Sequence, residues 1–217
     1  MRPLVLARVT GWVSLVPVVY FAAEWVVSAS WRGLYGYRDD LVGPLGIAFC
    51  GPVGNWPCSE LYPVMNVALV ATGVAVAFVS ASLCTQRISD RGNALLLLVS
   101  GVALATSGII TQDVSYSWNT TATAVFMTLG AVSALLIAVT SPAVMSGERR
   151  GVAVLAGLIG LCGYLVYVGG HDTFGPGGAQ RLCVYGILVA VIAVGTAGFV
   201  HAPAGDNGSR ELVGHTR

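Results

Sequence analysis

Six stretches of about 20 predominantly apolar residues, at 9–30, 61–83, 93–111, 121–140, 151–169 and 182–200, each match the ~30 Å of hydrocarbon that a transmembrane helix must cross. Inside a bilayer a backbone segment must satisfy its own N–H and C=O groups, so spans of this length fold as helices. Glu24 is the one charged residue that falls inside any of them. With 55% hydrophobic and 10% charged residues and a mean hydropathy of +0.77, the chain lacks the charge that a water-soluble domain carries. The expected fold is therefore all-α: a polytopic six-transmembrane-helix bundle over residues 1–201, followed by a polar, disordered tail at 202–217.

All eleven basic side chains are arginine. Arg2, Arg8, Arg87, Arg91, Arg149, Arg150, Arg210 and Arg217 fall on the side of the termini, and Arg32, Arg38 and Arg181 on the other. The positive-inside rule then places both termini in the cytoplasm. Lysine-free, Ala/Gly/Val/Arg-heavy usage suggests a GC-rich bacterial genome, and so a multi-pass protein of the bacterial plasma membrane. Met1-Arg2 followed by an apolar run and Phe21-Ala22-Ala23 loosely mimics a cleavable signal. The apolar run resumes at Trp25-Val26-Val27, which favours an uncleaved first span. The net charge of +1 and the lack of a basic patch with interleaved aromatics give no reason to expect a nucleic-acid partner.

The spans read as three helical hairpins with short basic inner links, 86–91 and 146–150, and outer links at 31–60, 112–120 and 170–181. No internal repeat of the kind found in many transporters is visible. Gly157, Gly160 and Gly163 fit close helix packing. Cys50 and Cys58 share the first outer link, where an oxidising compartment would allow a disulfide. Cys84, Cys162 and Cys183 read as apolar filler in or near spans.

Acidic residues collect at the outer end: Asp39, Asp40, Glu60, Asp113 and Asp172 in the links, and Glu24 roughly 7–10 Å below the end of its helix. Glu24 shares a helical stripe with Tyr20, Ser28 and Trp31. Two readings of it stand open: an acid held partly neutral by desolvation, or a structural acid bonded to a neighbouring helix. Asp39 and Asp40 are adjacent, so at most one aims at a site; the plain alternative is a solvated pair or an ion pair with Arg32 or Arg38. Glu60 begins the second span, where a carboxylate also stabilises the helix dipole. Asp113 follows the end of the third span and gains nothing from that dipole. His171-Asp172 has no second histidine on its side, so no metal site is expected. Asn119-Thr120-Thr121 matches a glycosylation sequon by chance, or caps the fourth span. Phe174-Gly175-Pro176-Gly177-Gly178 reads as a turn-rich connector, after which Arg181 opens the last span.

Trp25, Trp31, Tyr35, Tyr37, Trp56, Tyr62, Tyr116, Trp118 and Phe174 lie near the outer face, against Trp12 near the inner one. An interfacial aromatic belt explains part of this, but a belt should decorate both faces. Acids beside aromatic rings also suit a site that protonates an alkene and steadies the resulting cation. In that reading Glu24, Asp40, Glu60 and Asp113 are the candidate acids. Trp25, Trp31, Tyr62, Asn66, Tyr116, Trp118 and Phe174 line the substrate, and no metal or cofactor takes part.

Arg38-Asp39-Asp40-Leu41 through Gly46, the run Cys58-Ser59-Glu60-Leu61-Tyr62-Pro63-Val64-Met65-Asn66, and Gly177-Gly178-Ala179-Gln180-Arg181-Leu182 resemble a six-pass bacterial membrane family of unknown function. That resemblance implies six helices with both termini inside and no assigned activity. Asp40 and Arg181 match its pattern, whereas Glu60 stands where other members carry proline or another uncharged residue. In size, pass number and pairing of acids with aromatics the chain is also similar to small actinobacterial membrane terpene cyclases of drimentine-type pathways. This similarity implies a reaction type, protonation-initiated cyclisation of a farnesylated acceptor in secondary metabolism, and assigns no residues.

The leading expectation is thus a metal-independent cyclase acting on a hydrophobic prenylated small molecule in the outer half of the bilayer. The alternative is a non-enzymatic lipid-handling or accessory membrane protein. A transporter would want polar residues continuing to the inner face, where these spans offer little beyond Ser and Thr. Oligomeric state is not encoded in any feature of the sequence.

Overall fold

The computed structural model describes residues 3–48, 58–140, 146–170 and 173–199, with the side chains of residues 3, 4 and 198 excepted. The expected tail at 202–217, together with Cys50, Trp56, His171 and Asp172, lies outside the described residues. Seven α-helices make six spans: α1 (Pro3–Val13) and α2 (Val18–Ala29) together form the first, then α3 (Tyr62–Thr85), α4 (Arg91–Ile109), α5 (Tyr116–Thr140), α6 (Gly147–Gly169) and α7 (Gly175–Gly195). No strand occurs among the described residues. The all-α, six-helix expectation holds.

The first span is broken where the sequence suggested one helix. Pro17 has no N–H to give, so the ladder shifts there to i→i+3 bonds, including Val16 N–H to Val13 O (3.0 Å) and Val18 N–H to Leu15 O (3.0 Å). The last span also starts earlier than expected. Pro176 occupies the first turn of α7, where its fixed φ suits a helix start and its missing N–H costs nothing. The supposed connector at 174–178 is thus largely helix, and Arg181 sits inside the bundle.

The tightest pairs are α3 with α4 and α6 with α7. Both rest on glycines facing backbone. A Cβ on Gly73 would lie 2.3 Å from Ala105 N, and one on Gly101 would lie 2.5 Å from Ala77 N. Between α6 and α7, a Cβ on Gly186 would lie 2.3 Å from Gly160 N, and one on Gly163 would lie 2.4 Å from Cys183 N. Lipid supplies no hydrophobic drive between helices, so this close van der Waals approach is what holds the pairs. The most deeply buried span is α7, packed against α6, α5, α3 and α1. Near the termini, the 3₁₀ turn Thr196–Phe199 leans on α1, with Phe199 edge-on to Trp12 (ring centroids 5.3 Å apart) and lying over Gly11.

Asn119, read as a possible cap on its own span, serves the preceding one. It lies within α5 and its Nδ2 donates to Ser107 O (2.8 Å) and Ile110 O (2.9 Å), satisfying carbonyls that the last turn of α4 leaves open.

Gly186→Val should therefore part α6 from α7 and cost about 1–3 kcal/mol or more. Gly92→Ala meets open space within a helix and should be neutral or slightly stabilising. Unfolding of the purified protein in detergent micelles compares the two, and an equal effect of both would contradict the packing account.

Candidate functional site

Where α2 ends and α7 begins, Tyr20, Glu24 and Ser28 of the stripe foreseen on the first span are buried, 0%, 1% and 8% exposed, whereas Trp31 lies beyond the end of α2 and is half-buried. The three buried residues face α7, whose Arg181 projects from the opposite side. Arg181 Nε donates to Glu24 Oε1 at 2.6 Å, and the pair is almost wholly removed from solvent. Tyr185, one turn further along α7, donates its hydroxyl to the other carboxylate oxygen, Oε2, at 2.8 Å. Of the two readings of Glu24, the structure shows the acid bonded to a neighbouring helix.

Arg181 does more than neutralise. Its Nη1 donates to the backbone carbonyls of Tyr37 (2.8 Å) and Asp40 (2.7 Å), and its Nη2 to the hydroxyl of Tyr35. The rings of Tyr35 and Tyr37, edge-on to each other, lie beside the guanidinium with centroids 5.3 and 4.7 Å from Cζ. A planar fork of N–H groups bonded at several points while lying against aromatic rings is a geometry that arginine can fill and lysine cannot. Tyr35 passes the contact on by donating to Leu41 O at 2.9 Å. Burial pushes its phenol above the usual tyrosine range despite the nearby guanidinium, so it stays a donor.

The same loop is fastened at further points. Gln180 Oε1 accepts from Val42 N–H (2.8 Å), Gly178 N–H donates to Arg38 O (2.9 Å), and Tyr37 and Ser28 share a short hydroxyl bond. Asn66 Nδ2 donates to Gly46 O (3.0 Å), tying the 3₁₀ turn Gly43–Gly46 to α3. A Cβ on Gly177 would lie 2.2 Å from Asp40 O, so the start of α7 must be glycine for the loop to settle on it. Residues 35–46 are thus a cap held onto the bundle by Arg181, Gln180 and Asn66.

The structure brings Glu24 and the backbone of Asp40 to one centre and leaves the other acids outside it. Asp40 has an exposed carboxylate that accepts from Gly36 N–H within its own loop (2.7 Å). Glu60 is exposed and ion-pairs with Arg32. Asp39 and Asp113 are exposed. Among the aromatics, Trp31 packs on Tyr35 (5.2 Å between centroids), whereas Trp25, Tyr116, Trp118 and Phe174 point outward, as interfacial belt residues do. Tyr62 is half-buried at the start of α3. Arg181, Tyr185 and Gln180 had not been placed in a site by the sequence. The one available signal was the i, i+4 spacing of Arg181 and Tyr185 behind a proline able to start a helix early.

Beneath the cap lies a cavity of about 30 Å³ lined by Tyr20, Asn66, Ser107, Asn119, Phe126 and Gln180, among others. The Tyr20 hydroxyl and Asn66 Oδ1 are buried without a protein partner among the described residues. The space suits one or two waters, and is about tenfold below the ~300–1,000 Å³ of small-molecule sites. No group of three or more His, Cys, Asp or Glu side chains able to hold a metal occurs among the described residues. Cys58 is disulfide-bonded, and Arg32 N–H donates to its carbonyl at 2.8 Å.

No protein-family model, curated protein or solved structure matches this chain.

Removing one partner of a buried pair strands the other, so Glu24→Gln or Arg181→Met should each cost about 3–5 kcal/mol. The double variant Glu24→Gln/Arg181→Met should cost clearly less than the sum. Tyr185→Phe, which loses one bond to a charged group, should cost about 1.5–3 kcal/mol. Denaturation in micelles measures all of these; strictly additive single effects would show that the two side chains do not interact.

Proposed function

We propose that the chain is a non-enzymatic, lipid-handling or accessory membrane protein whose outer cap is a preassembled structural surface. The observation that carries this reading is the state of the centre under the cap. Its carboxylate is bonded on both oxygens, its guanidinium makes four hydrogen bonds, and the adjoining cavity is about 30 Å³. A catalytic acid needs a free route to its substrate, and a binding chamber for a prenyl chain needs hundreds of cubic ångströms. A built-in polar network without either serves best to fix one conformation of the outer loop.

The cyclase reading is favoured by one arrangement. Tyr20, Phe21 and Tyr185 stack edge-on around the flank of Glu24, with Phe21 and Tyr185 centroids 5.1 Å apart and Tyr20 and Tyr185 centroids 6.4 Å apart. A prenyl chain lying in the bilayer against half-buried Phe21 and Tyr185 would meet π-faces beside an acid.

The two readings part in one assay. Membranes containing the full chain are incubated with a farnesylated aromatic acceptor, and products are followed by mass-resolved chromatography. The accessory reading expects no cyclised product above that of membranes lacking the protein. A cyclised product that disappears in Glu24→Gln, Asp40→Asn, Glu60→Gln or Asp113→Asn would overturn it in favour of the cyclase.

A further inference from the structure

At the end of the bundle that carries the termini, α3, α4 and the turn between them enclose an open groove of about 1000 Å³, with Thr140 of α5 on its far side. One part of its wall is apolar and includes Leu95 and Leu98; the other carries Arg87, Arg91, Asp90 and the hydroxyls of Ser89 and Thr85. Its volume is at the top of the ~300–1,000 Å³ range of small-molecule sites.

Both arginines stand where local physics disfavours them. Arg87 is the only described non-glycine residue with positive φ, at 56°. It sits just past the end of α3, where Arg87 N–H bonds Cys84 O (3.0 Å) and Ile88 N–H bonds Leu83 O (2.9 Å), the closing turn that ordinarily takes glycine. Arg91 is the first residue of α4, where a cation opposes the positive end of the helix dipole. Neither forms an ion pair among the described residues, and the adjacent Asp90 makes no side-chain capping bond. Two exposed cations at unfavourable positions therefore converge on one groove beside the α4 N-terminus.

We infer that this groove binds the headgroup of an acidic phospholipid, with its phosphate between Arg87 and Arg91. A lipid fits better than a free anion because the apolar wall continues away from the charges: Leu95 lies one helical turn beyond Arg91 and is 60% exposed, open to an acyl chain. Basic pockets between transmembrane helices recognise anionic headgroups through this pairing of charge and grease. The inference is independent of what the outer cap does.

The test is native mass spectrometry of the full chain in detergent, titrated with phosphatidylglycerol and, separately, phosphatidylcholine. The wild type should retain phosphatidylglycerol preferentially. Arg87→Gln should weaken retention about fivefold and Arg87→Gln/Arg91→Gln about 25-fold, taking each basic group near the headgroup at its ordinary worth. Arg87→Gly relieves the backbone while removing the charge, so it should unfold no more readily than wild type and still lose lipid. Arg8→Gln/Arg149→Gln removes two charges from the same end outside the groove and should leave retention intact. No preference for phosphatidylglycerol, an equal loss in the Arg8/Arg149 pair, or displacement by inorganic phosphate at concentrations matching the lipid would each overturn the assignment.

Discussion

A cation and an anion buried against each other inside a membrane bundle decide how this protein is put together. Arg181 and Glu24 come from the last and first spans, 157 residues apart, and each would be costly in that environment without the other. Coulombic attraction alone would not favour such burial; the remaining donors and lone pairs must also be met. Tyr185 meets the carboxylate, while Tyr35 and the carbonyls of Tyr37 and Asp40 meet the guanidinium. The loop at 35–46 is therefore a required part of the pair's coordination, and its conformation follows from the pair. The pair also joins α2 to α7, the most deeply buried span.

Much of the fold was legible in the sequence because hydrocarbon imposes a length and a composition that no other constraint mimics. The helix stripe of Tyr20, Glu24 and Ser28 was legible for the same reason, since 3.6-residue periodicity places them on one face. What escaped was the start of the last span. Phe174-Gly175-Pro176-Gly177-Gly178 has the residues of a turn, and local propensity reads it so. Tertiary contact overrides this: glycine at 177 lets the Asp40 carbonyl approach, and Pro176 is harmless in a first turn. With α7 extended, Arg181 moves from a loop into the core and acquires its partner. Convergence of the outer acids was likewise not a sequence property. Glu60 and Asp40 have local partners, Arg32 and Gly36, that only the folded loop supplies.

The two ends of the bundle treat charge in opposite ways. Under the cap at 35–46, charge is enclosed and satisfied, and the cavity beside it has room for water alone. At the other end, Arg149 donates to Thr196 O (3.0 Å) and Arg150 to Val139 O (3.1 Å), ordinary service to open helix ends, while Arg87 and Arg91 stay exposed beside a wide groove. The closed cap and the open, basic groove thus lie at opposite ends of one bundle.

The Arg181–Glu24 pair holds the cap through the bonds from Arg181 to Tyr35, Tyr37 and Asp40. Hydrogen exchange of the purified protein tests it most directly, at the Val42 and Gly178 amides that bond Gln180 and Arg38. In the wild type these amides should be protected. In Arg181→Gln, exchange should quicken across residues 35–46 while α3 and α4 near Ser80 and Ala94 keep their protection. Unchanged protection of the cap in Arg181→Gln would contradict the account, because the loop would then be held by something other than the buried pair.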